Sequence, residues 1–204
     1  MFTGIVQGIA RIEGIERKPN LHRLAIGFPS GSMNGITRGA SVAIDGACLT
    51  VTEQDGDRLW FDVMMETLRA TTLGERPEGG KVNFERAARI GDEIGGHLLS
   101  GHVHCTATVE SIETPENNRR LEFRVPEHWR HYLLPKGYIA VNGASLTIGE
   151  VTGTGFSVYL IPETLEATTF SELTEGESVN LEIDSQTQTI VDTLARLNLK
   201  PATD

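Results

Sequence analysis

Apolar and polar positions alternate in short runs along most of the chain. VQGIARIEGIE (6–16) alternates and ends in the turn-forming KPN; LHRLAIGF, SVAIDGACLTVTEQ and RLWFDVM follow. Further on, VHCTATVESIE, RRLEFRV, YIAVNGASLTIGEV and GFSVYLI read the same way. Period-two runs separated by Gly, Asn, Asp and Pro predict short antiparallel strands in a small barrel or sandwich. A barrel is favoured, because closing the sheet removes its exposed edges. METLRAT, PETLEAT and EHWRHYLL predict short helical turns, and RAARIGDEIGGH (86–97) reads as a connector that Gly91, Gly95 and Gly96 make flexible or sharply turned. The tail, SQTQTIVDTLARLNLK (185–200), changes period: Ile190, Leu194 and Leu197 share one helical face. Ser185 and Gln188 fit a capping box, and Pro201 marks the stop. This helix either packs on its own barrel or offers a narrow apolar seam to the same helix in other subunits.

The runs repeat. GACLTV (46–51) returns as GASLTI (143–148), an offset of 97, and the same offset links FTGIVQGIARIEGIE to LSGHVHCTATVESIE, ETLRATT to ETLEATT and EGGKVNFE to EGESVNLE. Four blocks in order at one offset mark an internal duplication. The expected organisation is a first barrel with its connector over 1–97, a second over 98–186, and a helical tail over 187–204.

Composition narrows the class. A formal charge of −10 over 204 residues disfavours a nucleic-acid partner, since an acidic surface repels phosphates. No apolar run approaches the ~20 residues of a membrane-spanning helix, and MFTGIVQGIARIEG lacks the basic start and long apolar stretch of a signal peptide. Two cysteines, Cys48 and Cys105, form neither a CxxC pair nor a disulfide framework, which suits the cytoplasm.

A duplicated domain implies duplicated pockets for two similar ligands, and the positions where the copies disagree become the chemical candidates. Cys48 matches Ser145, Ile5 matches His102, and Ala87 matches Asp184. Each also has a structural reading. Cys48 can be a small buried apolar residue. Asp184 can cap the last helix. Glu66 and Glu163 begin matched helical turns, where a carboxylate suits the helix dipole. Thr50 and Thr147 are ordinary strand residues whose hydroxyls could bond a heterocycle. His102 and His104 are expected on one strand face, since side chains alternate with period two, with His97 nearby. No Cys or carboxylate accompanies them at ligand spacing, so no metal is expected.

MFTGIVQG, IDGACLTV, FDVMMETLRATTLG, GGHLLSGHV, VNGASLTIGEV and LIPETLEATT together resemble the riboflavin synthase family of the α-chain type. The resemblance covers essentially the whole chain. It implies an all-β fold of two similar six-stranded antiparallel Greek-key barrels plus a C-terminal α-helix, and a homotrimer held by that helix. It implies two molecules of 6,7-dimethyl-8-ribityllumazine in each active site, one donating a four-carbon unit to the other, with no cofactor or metal. The site would form between the first barrel of one subunit and the second barrel of another. By position, the first pocket would use Gly4, Ile5, Val6, Cys48, Leu49, Thr50, Asp62, Val63, Met64, Met65, Glu66 and Thr67. The second would use Gly101, His102, Val103, Ser145, Leu146, Thr147, Leu160, Ile161, Pro162, Glu163, Thr164 and Leu165, with Lys136 reaching across from a neighbouring subunit. For catalysis His102 would move protons, Cys48 or Ser41 would supply or activate a nucleophile, Asp184, Ser145 and Thr147 would orient a ring or shuttle protons, and Phe2 would cover a pocket. A non-catalytic lumazine or flavin carrier of the light-emission antenna type is the alternative. Association with the separate lumazine synthase is left open.

Overall fold

The computed structural model describes residues 1–197; the expected stop at Pro201 lies outside them. The first half forms β1 (Gly8–Lys18), β2 (Leu21–Gly27), β3 (Ser41–Ile44), β4 (Ala47–Asp55), β5 (Arg58–Met64) and β6 (Lys81–Arg86). These close into an antiparallel barrel in the order β1-β2-β5-β4-β3-β6. The second half repeats it with β7 (Cys105–Glu113), β8 (Arg119–Arg124), β9 (Tyr138–Val141), β10 (Ala144–Thr147), β11 (Gly155–Leu160) and β12 (Ser178–Ile183). Here the order is β10-β9-β12-β7-β8-β11, and the barrel is nearly closed. The difference lies at one seam. β4 runs nine residues and pairs along β5, whereas β10 stops after four. The seam is then bridged by single bonds, Gly149 N to Ser157 O (2.8 Å) and Ser157 N to Glu150 O (2.9 Å).

Alternation explains the two cores. Ile12, Leu24, Ile26, Val42, Ile44, Leu49, Val51, Leu59 and Phe61 point into the first barrel, where Phe28 meets Phe84 edge-on at 5.1 Å. Their repeats, including Val109, Leu121, Phe123, Ile139, Val141, Phe156 and Val158, fill the second. The barrel interiors are packed cores, so ligand chemistry falls to the outer faces. Short helices α1 (Met65–Ala70) and α2 (Pro162–Ala167) follow β5 and β11, as the matched ETL motifs predict. EHWRHY forms a 3-10 turn over Glu127–Tyr132.

A third, smaller core lies between the barrels: Phe2, Ala43, Leu99 and Ala140, with Cys48 and Ala87 against it. Phe2 and Leu99, equivalent by the repeat, exchange both backbone bonds (Phe2 N to Leu99 O 2.8 Å, Leu99 N to Phe2 O 3.0 Å). The chain is therefore folded about a pseudo-twofold axis. The β3–β4 hairpin turns at Asp45-Gly46 (φ 43° and 82°) and β9–β10 at Asn142-Gly143 (φ 43° and 81°). Two successive positive φ angles make the tight turn that matches strand twist. The tips abut: a Cβ on Gly46 would sit 2.8 Å from Gly143 N, and one on Gly143 would sit 2.9 Å from Gly46 N. That contact answers why the repeated phrase opens on glycine.

Two asparagines lock the axis. Asn83 Nδ2 donates to Asn142 O (3.0 Å) and its Oδ1 accepts from Thr169 N (2.8 Å); Asn180 Nδ2 donates to Asp45 O (2.8 Å) and its Oδ1 accepts from Thr72 N (2.8 Å). Asn83 N also donates to Asp45 Oδ1 (2.8 Å), as Asn180 N does to Asn142 Oδ1 (2.7 Å). The symmetry fails at one pair. Asp45 is fully buried and meets Arg76 Nη2 at 3.3 Å, whereas at the equivalent sites stand Asn142 and Leu173. Burial pushes the Asp45 carboxyl up to about 6, against the pull of Arg76 and the Asn83 amide.

α3 (Ser185–Arg196) begins one residue after Asp184, whose Oδ2 accepts from Thr187 N (2.9 Å) and Thr187 Oγ1 (2.8 Å). Asp184, not Ser185, is the cap, so the expected Ser185–Gln188 box does not form. The helix docks through Val191 and a Tyr132 Oη to Asp192 Oδ1 bond (2.5 Å). Its Ile190, Leu194 and Leu197 stay 44–62% exposed, an apolar stripe turned away from the barrel. No helix among the described residues is long and apolar enough to cross a membrane.

Asn180→Ala leaves Asp45 O and Thr72 N without partners and is expected to cost about 2–4 kcal/mol by chemical denaturation; a loss under about 0.5 kcal/mol would show the axis bonds to be idle. Asp45 favours its protonated form in the folded chain, so its contribution is present below about pH 4 and lost as pH rises towards about 6. Asp45→Asn is expected to flatten that part of the stability–pH curve relative to wild type; an unchanged slope refutes the assignment.

Candidate functional site

β3 pairs with β4 so that Ser41 lies opposite Thr50 and Ala43 opposite Cys48. These four share the outer face, because Val42, Ile44, Leu49 and Val51 fill the barrel. β9 and β10 repeat this with Ser145 opposite Ala140 and exposed Thr147 opposite Tyr138. The two candidate faces are thus equivalent strips beside the pseudo-twofold axis.

The structure corrects which segment completes which strip. Gly101 O accepts from Cys48 N (2.8 Å), and Gly4 O accepts from Ser145 N (2.8 Å). Each segment crosses the axis to the other barrel's hairpin, drawn over by the Phe2–Leu99 bridge. Gly101–Val103 therefore belong with Cys48, and Gly4 with Ser145, the reverse of the expected grouping. The close approach needs glycine: at φ 75° and 81°, a Cβ on Gly4 would sit 2.5 Å from Ser145 Cβ and one on Gly101 2.6 Å from Cys48 Cβ. Thiol and His102 imidazole thus share one side of the molecule rather than opposing each other.

The Cys48 cleft holds about 240 Å3 and is lined by Ala47, Cys48, Glu66, Thr67, Ala70, Thr71, Gly101, His102 and Val103. Of the other expected residues, Asp62 and Met64 are exposed on β5, while Leu49 and Val63 are core. Met65 turns to a separate cleft beside His22. Thr50 and Ser41 lie farther along the Cys48 face. Phe2 is fully buried between the barrels, so it supports the floor behind Cys48 and Gly101 instead of covering a pocket.

On the Ser145 side, Ile5 is exposed and Val6 packs against the second core. Leu146 and Leu160 are core; Ile161, Pro162 and Glu163 are exposed; Thr164 and Leu165 are half-buried. Lys136 is exposed in a left-handed turn (φ 66°) ahead of β9. The connector lies over this strip, with no counterpart on the other side among the described residues. A Cβ on Gly96 would sit 2.5 Å from both Ser145 Cβ and Thr3 O.

His97, the next residue, is the member that spacing did not single out. It is buried, stacks on Tyr138 (5.0 Å) and shares a 2.6 Å hydrogen bond between Nδ1 and Ser145 Oγ. Burial lowers its proton affinity, with Asp184 pulling the other way. The imidazole tautomer sets which group donates across that bond, and the buried Nε2 has no partner among the described residues. At the repeat offset it falls opposite Leu194 of the tail helix, in no shared motif, so the duplication gave no signal for it.

Residues 101–104 precede β7 and are not strand, so His102 and His104 do not share a strand face. His104 is structural: its Nδ1 accepts from Ile183 N (3.2 Å) and its Nε2 meets Gln188 Oε1 (3.1 Å), tying α3 to the barrel. Burial pushes the Cys105 thiol up to about 12, which leaves Cys48 as the chemically available cysteine. No group of three or more His, Cys, Asp or Glu among the described residues could hold a metal ion.

Followed by NMR, His97 is expected to titrate below a free imidazole, whose midpoint is about 6.5; a midpoint at or above that value would refute a neutral, buried imidazole.

The lumazine binding domain family matches residues 3–87 and again 100–184. Riboflavin synthase of Escherichia coli is 52% identical over 198 residues, covering 97% of this chain and 93% of that protein. Riboflavin synthase of Bacillus subtilis is 39% identical over 184 residues, covering 90% and 85%. Among solved structures, LumP complexed with riboflavin superposes with a TM-score of 0.84 at 29% identity, over 90% of this chain and 99% of that one. LumP complexed with 6,7-dimethyl-8-(1'-D-ribityl) lumazine gives 0.82 at 28%, with the same coverage. With both repeats matched in full and half its residues shared with a synthase, the chain belongs to the lumazine-binding-domain family, as a two-repeat member of the riboflavin synthase group.

Proposed function

We infer that this chain is a riboflavin synthase: it converts two molecules of 6,7-dimethyl-8-ribityllumazine into riboflavin and 5-amino-6-ribitylamino-2,4-pyrimidinedione by transfer of a four-carbon unit. The observation that carries this is the pair of equivalent outer-face strips with unequal chemistry, on a chain that matches synthases over nearly its whole length. Two copies of one substrate need two like sites, and a donor and an acceptor need those sites to differ. Because one lumazine gives what the other takes, the reaction balances without an external oxidant or reductant.

The lumazine C7 methyl loses a proton readily, since the carbanion delocalises into an electron-poor ring. One bound molecule becomes the carbon nucleophile; the other becomes electrophilic when a nucleophile adds at its C7. Holding the rings together replaces a bimolecular encounter with a local one, and well-oriented pairs reach effective molarities of about 10^5 M or more. The neutral His97–Ser145 pair is suited to taking and returning a proton on one side, with His102 and Cys48 serving the other. Asp184, held as the α3 cap, tunes His97.

The site is completed between subunits in this reading. The exposed Ile190–Leu194–Leu197 stripe is the seam of a homotrimer, and the Cys48 cleft of one subunit closes on the Ser145 strip of its neighbour, with Lys136 reaching across. The enzyme works in the cytoplasm. A non-catalytic carrier is the second reading, favoured by the close superposition on LumP bound to lumazine and to riboflavin. Against it stand the intact Cys48, His102, Ser145 and His97.

Purified protein given only dimethylribityllumazine is expected to form one riboflavin per two lumazines consumed, read by absorbance; tight binding without turnover would favour the carrier. His97→Ala is expected to slow single turnover about a hundredfold, and a wild-type rate would remove His97 from the proton path.

A further inference from the structure

Two buried carboxylates remain outside this scheme. Glu85 on β6 and Glu182 on β12 are equivalent by the repeat, 3% and 5% exposed, and neither makes a salt bridge among the described residues. An ionised carboxylate buried without a cation is costly unless hydrogen bonds satisfy it. Each is satisfied in the same way. Glu182 Oε1 accepts from Ser100 N (2.7 Å) and Ser100 Oγ (2.7 Å), and Oε2 accepts from Gly101 N (3.1 Å). Glu85 Oε1 accepts from Thr3 N (2.6 Å) and Thr3 Oγ1 (2.8 Å), and Oε2 accepts from Gly4 N (3.0 Å).

The held residues are the crossing segments, which lie outside the strands and so lack the ladder bonds that stiffen a sheet. The hold is relayed onward. From Glu182, Gly101 passes it to Cys48 through the bond from Cys48 N to Gly101 O, and Ser100 Oγ passes it to His102 by accepting that residue's N–H (3.1 Å). From Glu85, Gly4 passes it to Ser145, and Thr3 Oγ1 passes it to Ile5 N (3.2 Å). Glu182 does not line the Cys48 cleft; it acts through Ser100 and Gly101.

On the lumazine-binding reading above, we propose that Glu182 and Glu85 are positioning residues, each setting the affinity of one lumazine site by clamping the crossing segment that forms its wall: Glu182 for the Cys48 cleft, Glu85 for the Ser145 strip. The cross-pairing makes this distinctive. A carboxylate on the second barrel governs the first barrel's site, and the reverse. A carboxylate is required because each of its two oxygens faces a backbone N–H, so an amide NH2 can replace neither. In Glu182→Gln, the amide NH2 is turned towards one of those N–H groups, and the segment must move or lose a bond.

The test uses the full chain and a fluorinated lumazine analogue followed by 19F NMR, with wild type expected to show two bound signals and Cys48→Ser identifying that of the Cys48 cleft. Glu182→Gln is expected to weaken that site about tenfold while sparing the other; Glu85→Gln does the opposite. Ser100→Ala removes one relay and weakens the Cys48 cleft alone, by a smaller factor; it carries the test if Glu182→Gln does not fold. Unchanged affinities in folded variants, or equal weakening of both sites, would overturn the clamp and leave the carboxylates with a general structural role. A wild-type protein that binds no analogue would instead defeat the lumazine reading on which the proposal rests.

Discussion

The contact of two hairpin tips governs this molecule. Gly46 and Gly143 meet backbone to backbone, and no side chain fits between them. Around that point Asn83 and Asn180 each give an N–H to the opposite turn and take one from the opposite half. These bonds are buried, where an unpaired partner costs more than a satisfied pair gains. They therefore fix the relation of the two barrels rather than merely favouring it. Once the axis is fixed, the Phe2–Leu99 bridge follows, and the crossing segments arrive at the opposite hairpins.

Symmetry supplies two like strips, and departures from it make them differ. The matched strips differ at Cys48 against Ser145 and at His102 against Ile5. The largest departure is not a substitution. The connector brings Gly96 and His97 to the Ser145 side, while the Cys48 side is an open cleft. Asp45 with Arg76, opposite Asn142, shows the same breaking within the axis network.

Much of this was legible in the residues. The strands follow period two, the duplication is visible at one offset, and the outer-face position of Cys48 and Ser145 follows from alternation once Leu49 and Leu146 are core. What escaped was long-range. A repeat aligns Gly4 with Gly101 but cannot say that each crosses to the other barrel, because the exchange depends on a bridge between residues 2 and 99. Spacing suggested a shared face for His102 and His104, but residues 101–104 are pulled out of the sheet by their bonds to Glu182 and Cys48. The helix start carried two readings, a cap at Asp184 and a Ser185–Gln188 box, since both satisfy the local rule and only the bond from Thr187 N to Asp184 decides between them. His97 falls opposite Leu194 at the repeat offset, in no shared motif, so the duplication drew no attention to it.

Because both barrel interiors are filled by side chains, the candidate groups Cys48 and Ser145 hang on the outside of β4 and β10. Volume-conserving exchanges among Val, Ile, Leu and Phe inside a barrel change melting behaviour with little effect on an exterior wall. A lineage moving to a hotter or colder habitat can thus retune its interior while the outer strips stay as they are. Selection on catalysis and selection on heat tolerance then act on different positions of the same strand, alternating residue by residue.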